Sequence, residues 1–158
     1  MKRKTTTVLA VFGLTLLASL PPVFGCSCVL PSPPCVALEY ADAVFVGRIV
    51  EISPIESEGA GSGVIRPINL FRRVRVTFAL EYPFQGPETE TIEVVTPYWD
   101  AMCGLGQLMG VGDAWLIYAY RRDEELETHL CTLSRRLRPD YDIDAIIAYV
   151  YSCENASI

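Results

Sequence analysis

Residues 26–35 read CSCVLPSPPC, so three of the six cysteines and three prolines fall within ten positions. Cysteines that close admit three chemistries: thiol redox exchange, thiolate metal binding and structural bridging. Redox cysteines are kept exchangeable at an activated position. Zinc sites built from cysteine need a second close pair, and Cys103, Cys131 and Cys153 stand singly. Bridging is therefore expected, and it creates a fourth chemistry. If the mature chain begins at Cys26 and is bridged at Cys26 and Cys28, the α-amine and carbonyl oxygen of Cys26 project from a doubly pinned backbone. Those two atoms can close a five-membered chelate on a metal ion. An α-amine of pKa roughly 8 yields its proton to zinc near neutrality. A catalytic protease zinc keeps one position open for water, and the chelate would take it. The prolines stiffen the segment and lower the ordering cost of binding.

Other catalytic signatures are missing. His129 is the single histidine, expected on a strand surface with no partner for proton relay. GxSxG, HExxH and P-loop patterns do not occur, and the glycines of CGLGQLMGVGD read as turn formers. Arg72, Arg73 and Arg75 are expected on the solvated face of a strand rather than on nucleic acid. Asn155 begins a formal glycosylation sequon, NAS, at the chain end. The chain is expected to be neither an enzyme nor dependent on a cofactor.

Whether Cys26 leads the mature chain depends on what precedes it. Lys2, Arg3 and Lys4 are followed by a 13-residue apolar run from Val8 to Leu20 and then by Pro21-Pro22. This is the pattern of a signal peptide over residues 1–25, too short for a membrane span. Val23 and Gly25 suit an ordinary signal peptidase, which leaves a free amine. A cysteine directly after the site also fits a lipoprotein, whose cysteine is acylated. The expected location is therefore secreted or extracytoplasmic, with membrane contact only if Cys26 is lipidated. Removing the leader leaves ten arginines, no lysine and 19 acidic residues, a formal charge of −9. That charge opposes nucleic acid and anionic lipid as partners. All six cysteines are retained, which in an exported chain implies disulfides, but six cysteines allow fifteen pairings.

The elements that must position the stub follow. Val36 to Ala41 suit one or two helical turns. Strands are expected over Asp42–Ile52, around Val74, Val76, Phe78 and Leu80, and over Thr89–Thr96, Asp113–Tyr120 and Leu126–Ser134. SPIESEGAGSG, starting at Ser53, reads as a mobile loop. Ile143, Ile146, Ile147 and Val150 make one helical stripe, with Asp140, Asp142 and Asp144 in or near its first turn. Five strands followed by a helix predict an all-β fold with a flanking helix. A small antiparallel barrel is the economical form, because closure hides sheet edges.

The segment CSCVLPSPPC resembles the Cys-x-Cys-x-x-Pro amino terminus of the tissue inhibitors of metalloproteinases. Cys103-Gly104 resembles that family's mid-chain Cys-Gly, and GVGDAWLIYAY its Gly-x-x-Tyr-Leu-Ile strand. Cys131 and Cys153 follow in the family's order. The resemblance covers residues 26–153, leaving 154–158 as a tail. It corresponds to the inhibitory domain alone, as in single-domain bacterial members. It implies an OB-like five-stranded barrel of the netrin-module type with bridges Cys26–Cys103, Cys28–Cys131 and Cys35–Cys153. The first would add roughly 4–5 kcal/mol of chain-entropy stabilisation on the simple loop model. It also implies an inhibitor of zinc metalloendopeptidases; the chain is expected to be a monomer. In that role Cys26 chelates the protease zinc, Ser27 enters the adjoining specificity pocket, Cys28, Val29, Leu30 and Pro31 continue along the cleft, and Ala101 and Met102 form the neighbouring edge. The third cysteine comes sooner than in animal members, and Pro33-Pro34 is unlike most of them. The competing expectation is an envelope-tethered binding module, lipidated at Cys26 and without inhibitory activity.

Overall fold

The apolar runs of residues 43–47 and 114–119 are nearly uninterrupted, and such runs suit strands buried on both faces. Both behave this way in the computed structural model, which describes residues 26, 28, 32–55, 73–99 and 102–153. They lie in β1 (Ala43–Ile55) and β4 (Ala114–Arg122), which pair antiparallel from Ala43↔Ala119 to Arg48↔Ala114. β2 (Arg73–Gln85) and β3 (Thr91–Pro97) instead begin by alternating buried with more open positions, β2 as far as Phe78 and β3 as far as Val94. Val74, Val76 and Phe78 point into the core, and Leu80 packs against it half-buried.

Five strands close a ring. β1 pairs with β2, β2 with β3, β3 with β5 (Glu125–Glu127), β5 with β4, and β4 again with β1. The ring is not wholly antiparallel, because the contact that joins β3 to β5, Val95↔Glu127, is parallel. A sixth strand of two residues, β6 (Arg135–Arg136), pairs with Trp115 and Leu116 of β4. Register shifts at three places in β1 bend that strand between its two neighbours. Gly47 lies at one of them, where an added Cβ would sit 3.1 Å from the Ala79 carbonyl oxygen and the Phe78 Cβ.

Two apolar cores result. One fills the ring with Phe45, Ile49, Val76, Phe78, Trp115 and Ile117, and the Phe45 and Phe78 rings meet edge to face at 5.5 Å. The other covers the outer face of β1 and β4, where Val44, Val46, Leu116 and Tyr118 pack under two helices. These are α1 (Pro34–Tyr40) and α2 (Ile143–Val150). Pro34 sits in the first turn of α1, where a missing N–H costs nothing. Asp142 caps α2 by accepting the Asp144 N–H at 2.9 Å, and Ile146 and Val150 form its buried stripe.

The expected fifth strand over Leu126–Ser134 is only Glu125–Glu127. Three hydroxyls replace its continuation. Thr128 Oγ1 donates to the Tyr118 carbonyl at 3.0 Å, Ser134 Oγ accepts the Tyr118 N–H at 2.8 Å, and Thr132 Oγ1 lies 3.0 Å from Thr128 Oγ1. Side-chain oxygens thus satisfy the β4 backbone, so the chain is free to turn. His129 and Cys131 consequently sit in a turn and not in a strand. Ser53 to Ile55, assigned to a loop from their composition, continue β1. The remainder of that loop, Arg72, the leader over 1–25 and the tail over 154–158 lie outside the described residues.

Three disulfides join Cys26 to Cys103, Cys28 to Cys131 and Cys35 to Cys153, the pairs the family resemblance implies. Such bridges indicate an oxidising, extracytoplasmic compartment. Among the described residues no helix is long and apolar enough to cross a membrane.

Candidate functional site

Two of the three bridges hold the stub. Cys26 and Cys28 are each anchored with Cα–Cα separations of 5.2 Å. The bridges lie side by side, with Cys26 Sγ 3.6 Å from Cys131 Sγ and 4.0 Å from Cys28 Sγ. All these sulfurs are oxidised and no free cysteine remains, so the cluster offers no thiolate to a metal.

Each anchor is itself fixed by a turn. Cys103 adopts a left-handed backbone, φ 59°, in a turn where the Trp99 carbonyl accepts N–H bonds from Met102 (3.1 Å) and Gly104 (2.9 Å). Position 104 must be glycine, because a Cβ there would lie 2.0 Å from the Pro97 carbonyl oxygen. The Cys-Gly pair is thus a steric requirement for turning Cys103 toward the stub. At the second anchor the Cys131 N–H donates to His129 Nδ1 at 3.2 Å, and the Thr132 N–H to the His129 carbonyl at 3.0 Å. The Leu130 N–H donates to the Cys103 carbonyl at 2.8 Å, which ties the two anchoring turns together.

His129 was expected as a bystander on a strand. It is half-buried and holds the Cys131 turn through an unprotonated Nδ1. Burial lowers its pKa below the ordinary value, with Glu127 pulling the other way. The sequence signal for this role was its place two residues before a cysteine, which by itself has no specific meaning. Cys26 is half-buried, while Cys28 and Met102 are exposed, Met102 at 39%. Ser27, Val29, Leu30, Pro31 and Ala101 lie outside the described residues.

The third bridge acts elsewhere. Cys35, in α1, joins Cys153 just beyond α2, and its N–H donates to the Ser152 carbonyl at 3.1 Å. The stub therefore leads directly into a helix clamped to the outer core.

The strand arginines are occupied. Arg73 pairs with Glu125 at 3.1 Å and also with Glu127, and Arg75 pairs with Glu125 at 2.8 Å and Glu93 at 3.4 Å. Partly exposed pairs such as these add little stability, but they commit the guanidiniums to carboxylates of this chain.

Comparison with known proteins finds no family model that matches the chain and no matching curated protein.

Proposed function

We propose that the mature chain is a secreted inhibitor of zinc metalloendopeptidases that binds the protease zinc through the amine nitrogen and carbonyl oxygen of Cys26. The observation that carries this reading is the paired anchorage of the stub: two adjacent bridges fix Cys26 and Cys28 to turns that are themselves hydrogen-bonded together. A chelating terminus needs that immobility, because each group ordered on binding subtracts from affinity. Met102, one residue from the Cys103 anchor and exposed, suits a flanking contact with the protease. The likeness to the tissue inhibitors of metalloproteinases, with the OB-like barrel of the netrin type that it implies, supports the same reading. Ser27 would enter the specificity pocket, with Val29, Leu30 and Pro31 along the cleft.

The experiment begins with the intact mass and amino-terminal sequence of the exported protein, followed by titration against zinc metalloprotease catalytic domains. The proposal predicts a free Cys26 terminus and stoichiometric inhibition. A single alanine added before Cys26 should abolish inhibition and leave the melting temperature unchanged. Full inhibition by the extended protein would refute chelation. A diacylglyceryl mass on Cys26 would refute the free-amine mechanism and favour the tethered binding module.

A further inference from the structure

Four of the ten arginines of the mature region surround one part of the surface remote in sequence from the stub: Arg48 on β1, and Arg135, Arg136 and Arg138 in and after β6. The alternation of an extended chain divides the last three. Arg135 stacks on the Tyr149 ring at 3.7 Å, and Leu137 packs into the outer core. Arg136 and Arg138, with Arg48, line a cavity of about 360 Å3 walled also by Asp113, Ala114, Leu137 and Pro139.

The charges around this cavity are arranged asymmetrically. Arg48 Nε donates to Glu81 at 2.8 Å and its Nη1 to the Gly112 carbonyl at 3.0 Å, so its guanidinium is held from two sides. Glu81 also accepts from the Tyr141 hydroxyl, whose pKa is pushed up to about 12 by burial and by that carboxylate. Arg136 donates to Asp113 at 2.5 Å, and the other Asp113 oxygen accepts the Gly110 N–H at 3.1 Å. Both neighbouring carboxylates are thereby matched. Arg138 has no ion-pair or hydrogen-bond partner for its guanidinium among the described residues. One positive charge is left uncompensated at a cavity where two other guanidiniums are already oriented.

We propose that this cavity binds the phosphate or sulfate group of a small soluble monoester. Arg138 offers its whole guanidinium, and Arg48 and Arg136 offer the N–H donors that Glu81, Gly112 and Asp113 leave unused. Donors from two separate stretches of chain suit a tetrahedral group with three terminal oxygens better than a flat carboxylate with two. The volume lies at the lower end of small-molecule sites and well above what a bare anion needs. Ala114, Leu137 and Pro139 supply the apolar part of the cavity wall. Three residues of this site come from the run RRLR, whose basic character the net charge of the chain conceals. The site is independent of the stub and of inhibition.

The test is calorimetric titration of the mature protein with glucose 6-phosphate, glucose and inorganic phosphate, and co-sedimentation with phosphatidylglycerol vesicles. The expected result is saturable one-to-one binding of glucose 6-phosphate, competition by inorganic phosphate and no binding of glucose. Arg138→Gln, on an exposed side chain, should weaken binding at least tenfold, while Arg121→Gln should leave it unchanged. Absence of saturable binding, or equal weakening by both variants, would overturn the proposal. Vesicle binding that depends on Arg138 without any binding of glucose 6-phosphate would overturn the soluble-ester assignment and give the site to a lipid headgroup.

Discussion

The ring of strands and the amino-terminal stub are held by different physics. In the ring, Phe45, Phe78, Leu116 and Ile117 are fully buried, and two cores share the strands β1 and β4. Burying side chains of that size contributes about 1.5–3 kcal/mol each before entropy is subtracted. Cys26 is only half-buried and Cys28 is exposed, so apolar burial cannot fix them. Covalent bridges do, and each closes a long loop, 77 residues for Cys26–Cys103 and 103 for Cys28–Cys131. Under the proposed function the stub must meet a partner and cannot also be buried in its own core, so cross-links take the place of packing there.

That contrast is breakable from either side. Phe78→Ala strikes the ring and should cost about 3–5 kcal/mol, measured by urea unfolding. The surviving folded fraction should inhibit with unchanged stoichiometry. Replacing Cys28 and Cys131 together by serine strikes the stub. It should cost roughly 2–5 kcal/mol and abolish inhibition under conditions where circular dichroism still reports the folded ring. If the serine pair still inhibits when folded, the stub does not need its second anchor.

Smaller changes sharpen the comparison. Asp142→Ala removes the cap of α2 and should cost about 1 kcal/mol, with no effect on inhibition, because α2 packs on the outer core. His129 should add a pH dependence at the stub alone. Burial places its folded pKa below the unfolded one, so the unfolded chain binds the proton more readily. Its contribution is complete above the ordinary histidine value of 6.5 and is lost as pH falls toward the folded pKa. The melting temperature should therefore drop on acidification from about pH 7 to about pH 5, and His129→Gln should flatten that slope. Equal slopes in both proteins would show that Nδ1 does not hold the Cys131 turn.

Much of the ring was readable from residues. The alternation of Val74, Val76 and Phe78 gave β2 its buried face, and the continuous runs in β1 and β4 marked strands, though not that helices would cover their outer side. The helical stripe of Ile146 and Val150 and the aspartate at its start placed α2. What failed was the stretch from Thr128 to Ser134, which scores as strand although its hydroxyls satisfy Tyr118 and release the chain into a turn. Such substitution of side-chain for backbone bonds depends on a neighbour distant in sequence. The same limit hid the arginine cavity: Arg48 and Arg138 are 90 positions apart, and Glu81 and Asp113 meet Arg48 and Arg136 only in the fold. The stub was legible as a cross-linked segment. The glycines after Cys103 read as turn formers, as the turn at Cys103-Gly104 bears out, but the turn at Cys131 was not legible. Nothing in the residues around His129 announces that its ring accepts the Cys131 N–H.

The most direct test of the zinc-chelation mechanism is a crystal structure of the mature protein bound to a zinc metalloprotease catalytic domain. The proposed mechanism predicts the Cys26 amine nitrogen about 2.0–2.2 Å from the zinc, with the carbonyl oxygen of the same residue as the second ligand. A complex in which the protease keeps its zinc-bound water and meets another face of the ring would contradict it.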